Sequence, residues 1–110
     1  MEINTTEIDD IPVVRLSGEL NLYNAPQLKS HLHGMADEGK SRIVLNLEEL
    51  EHIDSSGIGV LISAMTRLKK DGGQLKLAAV SGSVRMLLNL TKLHNLFEIH
   101  ETEGEAARSF

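Results

Sequence analysis

The sequence contains no cysteine and no tryptophan, and aromatic residues make up only 3% of its 110 positions. The absence of cysteine excludes disulfides, thiolate catalysis and cysteine-ligated zinc. The core must be aliphatic, since Tyr23, Phe97 and Phe110 are the only aromatic residues. The formal net charge is −5, and no basic patch or stripe accompanies it, so we expect no nucleic-acid partner.

The sequence also lacks long apolar runs and a secretion signal. Its start, Met1-Glu2-Ile3-Asn4, has neither the basic nor the apolar region of a signal peptide, and no apolar run approaches the length of a membrane span. We therefore expect a cytoplasmic protein without direct membrane contact. The length predicts a single domain over residues 1–110, which can bury a core without disulfides or metals.

The hydrophobic pattern predicts the element order ββαβαβαβα, typical of an α/β fold with a mixed, mainly parallel sheet and helices packed on it. Asp9-Asp10 would connect the first two strands, residues 17–21 would leave the sheet, and Glu48-Glu49 would form a solvated connector. The continuous apolar run 43–47 indicates a strand covered on both faces. The four or five strands are expected at residues 3–8, 13–17, 43–47, 75–80 and 96–99.

Four helices are expected between and after these strands, the last a marginal one at residues 103–110. The second helix is expected to end at Gly72-Gly73. Its apolar face is made of Ile58, Leu61, Ile62, Met65 and Leu68. The predicted boundary residues are Asn24 (cap), Pro26 (first turn), Gln27 (capping-box return) and Gly39 (end) for the first helix, and Ser81 or Ser83 (cap) for the third.

The segment Asp54-Ser55-Ser56-Gly57 lies at the junction between the third strand and the second helix. A helix start favours negative charge, so a phosphoserine would be tolerated there. The residues alone leave two interpretations open, because one of the serines could instead be only a helix cap worth about 1 kcal/mol. Gly59 costs a helix roughly 1 kcal/mol against alanine, which indicates either tight internal packing or a bare surface that a partner approaches closely.

Other chemistry has little support in the sequence. Gly57-Ile58-Gly59 begins like a dinucleotide-binding fingerprint, but Ile62 stands where the third glycine belongs. The hydrolase elbow needs glycine two residues before its serine, and Ile53 and Asp54 occupy those positions. The five histidines form no cluster in the sequence. We therefore expect no enzymatic activity, no cofactor and no metal site.

Several stretches of the chain together resemble one known family. They are Arg15-Leu16-Ser17-Gly18-Glu19-Leu20, Ile43-Val44-Leu45-Asn46-Leu47-Glu48-Glu49-Leu50, Ile53-Asp54-Ser55-Ser56-Gly57-Ile58-Gly59-Val60-Leu61, Gly72-Gly73, residues 75–79 and Val84-Arg85-Met86-Leu87-Leu88. In this order they resemble the STAS family, most closely the stand-alone anti-sigma factor antagonists of bacteria. The resemblance covers almost the whole chain and implies the STAS fold, in agreement with the element order above.

The resemblance also implies a function. In similar proteins, an anti-sigma factor that is a serine kinase of the histidine-kinase-like ATPase superfamily phosphorylates the first serine of the Asp-Ser-Ser-Gly block, which maps to Ser55. The unmodified antagonist binds this kinase and frees a sigma factor, the phosphorylated form lets go, and a metal-dependent serine phosphatase restores it. The expected partner-binding residues are Asn21, Asp54, Ser55, Ser56, Gly57, Ile58 and Gly59.

The chain departs from the family pattern at one place. The family usually reads Gly-Glu-Leu-Asp, with threonine or serine three residues later, whereas this chain has Asn21 and Asn24. That aspartate lies near the phospho-acceptor in related proteins, so its loss is expected to alter kinase recognition or the rate of phosphorylation. Asn21 also keeps an alternative open, a non-switching STAS subunit of a lipid-transport ATPase complex or a stressosome-like scaffold.

Overall fold

A computed structural model describes residues 1–80 and 82–110 and contains one five-stranded sheet with helices on both faces. The strands are β1 (Glu2–Ile8), β2 (Ile11–Leu20), β3 (Arg42–Ile53), β4 (Gln74–Ala78) and β5 (Glu98–His100). The helices are α1 (Ala25–Asp37), α2 (Ser55–Lys70), α3 (Gly82–Leu90) and α4 (Glu103–Arg108), with a 3-10 turn at Leu93–Asn95. Ser81, one of the two predicted caps of α3, lies outside the described residues.

The sheet has the strand order β1-β2-β3-β4-β5. β1 and β2 form an antiparallel hairpin, and the later neighbours pair in parallel. Asp9 and Asp10 both adopt positive φ, 51° and 67°, as a tight two-residue hairpin turn requires. The predicted element order, the turn at Asp9-Asp10 and the mixed, mainly parallel sheet are therefore confirmed.

Two predicted strand ends are wrong. β2 does not leave the sheet at residue 17 but continues to Leu20, and Glu48-Glu49 is not a connector but part of β3, which continues to Ile53. The two extensions pair with each other, ending with Leu20 opposite Ile53. Register shifts along this ladder break the strict alternation of apolar and polar residues, which is the signal a strand leaves in a sequence.

The centre of β3 is buried on both faces, as its apolar run predicted. Ile43 and Leu45 face the main core, which α1, α2 and α3 cover, whereas Val44 faces a smaller core closed by Ala106 and Ala107 of α4. Each of these β3 side chains is fully buried. None of the helices in the described residues is long and apolar enough to cross a membrane.

Glycine ends α1 and α2, as predicted. Gly39 and Gly72 adopt positive φ, 88° and 82°, directly after the two helices. The N–H of Lys40 donates to the carbonyl of Met35 at 3.0 Å, and the matching bond in α2 runs from Gly73 to Leu68 at 2.8 Å. This pattern satisfies carbonyls that a helix end would leave unpaired. β5 begins at Glu98, later than predicted, because the 3-10 turn precedes it.

A buried lysine, paired with a partly exposed glutamate, fastens the C-terminal segment to the sheet. Lys76 is 3% exposed, and its Nζ lies 2.8 Å from Glu98 Oε2 and donates to Ser109 Oγ at 2.6 Å. The same ammonium lies 4.2 Å from the centre of the Phe110 ring. Hydrogen bonds from Lys76 and then His100 lower the pKa of Glu98 to about 2. The Lys76 ammonium therefore links β4 both to β5 and to the segment that ends α4.

We predict that Glu98→Gln reduces the stability of the fold at neutral pH and that the difference shrinks in acid. The pKa of Glu98 is about 2 in the fold against 4.5 ordinarily, so its carboxylate stabilises the fold above pH 4.5 and loses this effect as the pH falls towards 2. We expect a loss of about 1 kcal/mol at pH 7, reduced because Glu98 is partly exposed. Urea unfolding followed by circular dichroism at several pH values measures it.

Glu101→Gln is the matched control, since Glu101 is an exposed glutamate next to β5. It should leave the pH dependence of unfolding unchanged. Equal destabilisation by Glu98→Gln at pH 7 and pH 2.5 would contradict the role given to the carboxylate.

Candidate functional site

Two chain segments meet where β2 and β3 end side by side. Leu20 and Ile53 are the last paired residues of these strands, and the N–H of Asp54 donates to the carbonyl of Leu20 at 3.1 Å. The 21–24 loop, which leads to α1, therefore lies beside the start of α2. The predicted partner-binding residues Asn21 and Asp54, far apart in sequence, belong to these two neighbouring segments.

The Asp54 carboxylate joins the two segments. Asp54 is the N-cap of α2, and its Oδ1 accepts a hydrogen bond from the N–H of Gly57 at 3.0 Å. Its Oδ2 accepts from the N–H of Leu22 in the 21–24 loop, also at 3.0 Å. One side chain thus caps a helix and fixes the adjacent loop.

The interpretation of Ser55 or Ser56 as the helix cap is wrong. α2 begins at Ser55, so the two serines are its first two residues, and the cap is Asp54 in extended conformation. Since β3 runs to Ile53, Asp54 is the residue at which the chain turns from strand to helix. Ser55 is exposed, whereas Ser56 is half-buried. The hydroxyl of Ser55 is therefore accessible and is not needed to cap the helix.

The start of α2 suits a negative charge. The helix is 16 residues long, and its first turn contains no acidic residue. The first N–H groups of a helix point outward without intrahelical partners, and the macrodipole adds about half a positive charge there. A phosphate on Ser55 would lie at this end of the helix.

The two glycines of α2 have different surroundings. A Cβ on Gly57 would lie 2.7 Å from side-chain atoms of both Leu20 and Ile53, so Gly57 lets the helix pack closely on the strand ends. A Cβ on Gly59 would have no described atom outside its own helix turn within 4 Å. Gly59 is exposed and four residues after Ser55, which puts both on one side of the helix. Gly57 thus fits the packing interpretation, and Gly59 fits the bare-surface interpretation. Ile58, between them, packs against the main core.

Hydrogen bonds fix the 21–24 loop. Asn21 Oδ1 accepts from the N–H of Tyr23 at 3.0 Å, and Asn24 Oδ1 accepts from the N–H of Asn21 at 2.8 Å. Asn24 Nδ2 donates to the carbonyl of Glu19 at 2.7 Å. The predicted capping box with Gln27 is therefore wrong: Asn24 holds the N-cap position of α1, but its side chain binds the loop and β2 instead.

The loop presents two apolar side chains that the sequence did not single out. Leu22 is 65% exposed and Tyr23 is 92% exposed. Loop residues carry no periodic signal, so their exposure becomes visible only in the structure. They add exposed apolar area beside Asp54, the cap of α2.

The start of α3 is fastened near the same strand end. Ser83 lies inside the first turn of α3, and its hydroxyl donates to the carbonyl of Glu51 in β3 at 2.6 Å. Ser83, one of the two predicted caps of α3, therefore links α3 to β3 through this hydrogen bond.

The remaining polar groups do not assemble into a metal centre. In residues 1–80 and 82–110, no three histidine, aspartate or glutamate side chains are placed to hold a metal ion.

A groove of about 1070 Å³ crosses the sheet on the α4 face, away from Ser55. In the lining of this groove, Glu103 accepts from Arg15 Nε at 2.9 Å and from Asn46 Nδ2 at 2.8 Å, and these partners, Arg15 first, lower its pKa. The histidines have separate neighbours, namely His31 with Thr5, His33 with Ser63, His52 with Ser83, His94 with Leu88 and His100 with Glu98.

Comparison with known proteins identifies a family and its relatives. The family model described as STAS domain matches residues 2–106. The anti-sigma-B factor antagonist of Staphylococcus aureus is 32% identical over 106 residues, which cover 96% of this chain and 98% of that protein.

Solved structures agree with this result. A crystal structure from Thermotoga maritima has a TM-score of 0.91 at 28% identity, over 97% of this chain and 92% of that one. The Bacillus cell fate determinant SpoIIAA in its phosphorylated form has a TM-score of 0.77 at 25% identity, over 98% of each chain. Its unphosphorylated form has a TM-score of 0.76 at 24% identity, over 98% of this chain and 96% of that one, and shows the same fold.

We predict opposite effects for alanine at the two glycines of α2. Gly57→Ala should destabilise the fold by about 1–3 kcal/mol, because the added methyl group overlaps Leu20 and Ile53. Gly59→Ala should stabilise it by up to about 1 kcal/mol, because the helix gains propensity without a clash. Chemical unfolding of both variants tests this pair, and a stability change of the same sign in both would contradict it.

Proposed function

The chain belongs to the STAS domain family, and from that premise we propose that it is an anti-sigma factor antagonist switched by phosphorylation of Ser55. The observation that carries the proposal is the position of Ser55, the exposed first residue of α2, directly after Asp54, whose carboxylate binds the 21–24 loop. The name of the Staphylococcus aureus relative and the phosphorylated form of SpoIIAA support it.

In the proposed cycle, the unmodified chain binds an anti-sigma factor that is a serine kinase, and this binding frees a sigma factor. The Oγ atom of Ser55 then attacks the γ-phosphorus of ATP in the kinase, the bond to the leaving ADP breaks, and the hydroxyl proton passes to a base of the kinase. The chain is thus a substrate and not a catalyst. A metal-dependent serine phosphatase resets it: water attacks the phosphorus, the bond from phosphorus to the Ser55 Oγ breaks, and the Oγ takes up a proton while inorganic phosphate leaves.

Electrostatics explains why the phosphorylated form would let go. The surface at the ends of β2 and β3 already carries acidic side chains, Glu19, Glu51 and Asp54. A phosphate adds about −1.5 to −2 charges at Ser55. A partner that buries this surface would have to remove water from the phosphate without gaining a new cation, which is costly. In the free chain the start of α2 partly compensates the charge, so the fold itself should not change.

We predict that the anti-sigma factor kinase of the source organism, purified and supplied with ATP, transfers one phosphate to this chain, at Ser55. Ser55→Ala should remain unmodified and stay bound to the kinase in the presence of ATP. Ser55→Asp should bind at least about tenfold more weakly, because it brings charge to the interface. Mass spectrometry and isothermal titration calorimetry measure the two effects.

Ser56→Ala is the matched control for the neighbouring hydroxyl and should still be phosphorylated. Phosphate on Ser56, or Ser55→Asp binding as tightly as the wild type, would refute the switch. Co-purification of the chain with a membrane transporter ATPase, without phosphorylation, would favour the non-switching subunit.

Asn21 provides a second test of the same site. Its amide oxygen supplies the hydrogen bond that Tyr23 requires, and an aspartate could accept the same bond while adding a charge. We predict that Asn21→Asp leaves stability unchanged and raises the rate of phosphorylation of Ser55 by about tenfold. This is the effect expected if the new carboxylate accepts one charged hydrogen bond from the kinase. Asn4→Asp, which places the same charge on the exposed strand β1, should leave the rate unchanged. Equal rates for Asn21→Asp and the wild type would contradict this role.

A further inference from the structure

We infer that Leu22 and Tyr23 form an apolar anchor that enters an apolar pocket of the anti-sigma factor kinase and thereby positions Ser55. The inference rests on the proposed function and adds two residues to the surface that the resemblance implies. It commits to one occupant, the same kinase that phosphorylates Ser55.

The exposure of the anchor is the first argument. Tyr23 is 92% exposed and Leu22 is 65% exposed, and in the described residues only three other large apolar side chains, Met86, Leu90 and Leu96, are exposed to a comparable degree. Single exposed apolar residues are common on protein surfaces, so exposure alone proves nothing. Tyrosine is, however, enriched among the residues that dominate binding energy at interfaces.

The rigid backbone of the anchor is the second argument. Asn21 and Asn24 hold the loop by hydrogen bonds to the N–H of Tyr23, the N–H of Asn21 and the carbonyl of Glu19. A loop already fixed in one conformation loses little entropy on binding, which improves affinity. The two apolar side chains are therefore attached to a backbone that is already fixed in one conformation.

Continuity with Ser55 is the third argument. The N–H of Leu22 is bound by the carboxylate of Asp54, the residue directly before Ser55. The Asp54 carboxylate thus links the backbone of the anchor to the residue before the phospho-acceptor. A kinase that holds the anchor keeps Ser55 bound near its active site equally before and during phosphoryl transfer, so the anchor should act on KM and not on kcat.

A second exposed apolar group provides an internal comparison. Met86 and Leu90 on α3 and Leu96 after the 3-10 turn are 63%, 76% and 53% exposed. α3 is tied to β3 through Ser83 and Glu51, whereas the Leu22 backbone bonds to the cap of α2 itself. The start of α2, where the phosphate would lie, is therefore hydrogen-bonded to the anchor and not to the helix that carries Leu90.

The test measures binding of the purified kinase to Leu22→Ala, Tyr23→Ala and the double variant, with Leu90→Ala as the matched control. We expect the double variant to bind about 30-fold more weakly or worse, the size of a typical interface hot spot, and Leu90→Ala to stay within about twofold. KM for phosphorylation should rise across these variants in the same rank order as their loss of binding, while kcat stays constant. Circular dichroism verifies that each variant is folded, as expected for changes at exposed side chains.

Asp54→Asn tests the positioning role of the carboxylate. Its remaining oxygen can still cap α2 at Gly57, but its amide cannot accept the N–H of Leu22. We expect stability close to the wild type and weaker kinase binding. The losses from Asp54→Asn and Tyr23→Ala should be less than additive in a double-mutant cycle, which a purely structural role of Asp54 would not produce.

The outcomes separate the two proposals. If the wild-type chain is phosphorylated at Ser55 and the anchor variants bind as tightly as the wild type, the anchor is refuted and the switch stands. If Leu90→Ala weakens binding and the anchor variants do not, the kinase docks on α3 and the anchor is again refuted. If the kinase neither binds nor phosphorylates the wild-type chain, the proposed function fails and the anchor with it.

Discussion

The parallel pairing of the last residues of β2 with the last residues of β3 brings together the two segments that form the candidate site. Parallel strands leave the sheet at the same edge, and that edge is where ligands and partners of open α/β sheets usually bind. Leu20 opposite Ile53 closes the ladder, and the N–H of Asp54 adds one more bond to Leu20. Leu22 and Asp54 thereby come into contact although 32 positions separate them in the sequence.

The carboxylate of Asp54, directly before Ser55, influences what a phosphate on Ser55 would do. Asp54 already occupies the N–H of Gly57, and through its other oxygen it holds the 21–24 loop. A phosphate on Ser55 would share this helix end with a carboxylate, so the helix would compensate only part of the combined charge. Under the proposed switch, the uncompensated part faces outward. The modification then acts on a docking partner through the surface, without any need for the fold to rearrange.

The sequence predicts the features of this fold that depend on local conformation. Asp9-Asp10 and Gly39 are found where predicted, because positive φ restricts the residue types that a turn or a helix end accepts. The extension of β2 and β3 depends instead on pairing between distant segments, and shifted register removes the alternation that would have revealed it. The choice of Asp54 over Ser55 as the cap has the same origin. Both residue types cap well, and the end of β3 at Ile53 decides between them.

The shape of the surface follows from the placement of small residues. Gly57 lies inside and brings α2 down onto the ends of β2 and β3, while Gly59 lies outside, one helical turn after Ser55. Serine and glycine have small side chains, so under the proposed function a catalytic group of the kinase can come close to the Ser55 hydroxyl. Leu22 and Tyr23 are exposed in the neighbouring 21–24 loop. Under the proposed switch, a phosphate on Ser55 would add both bulk and charge to this surface, where a closely fitted partner has little room for either.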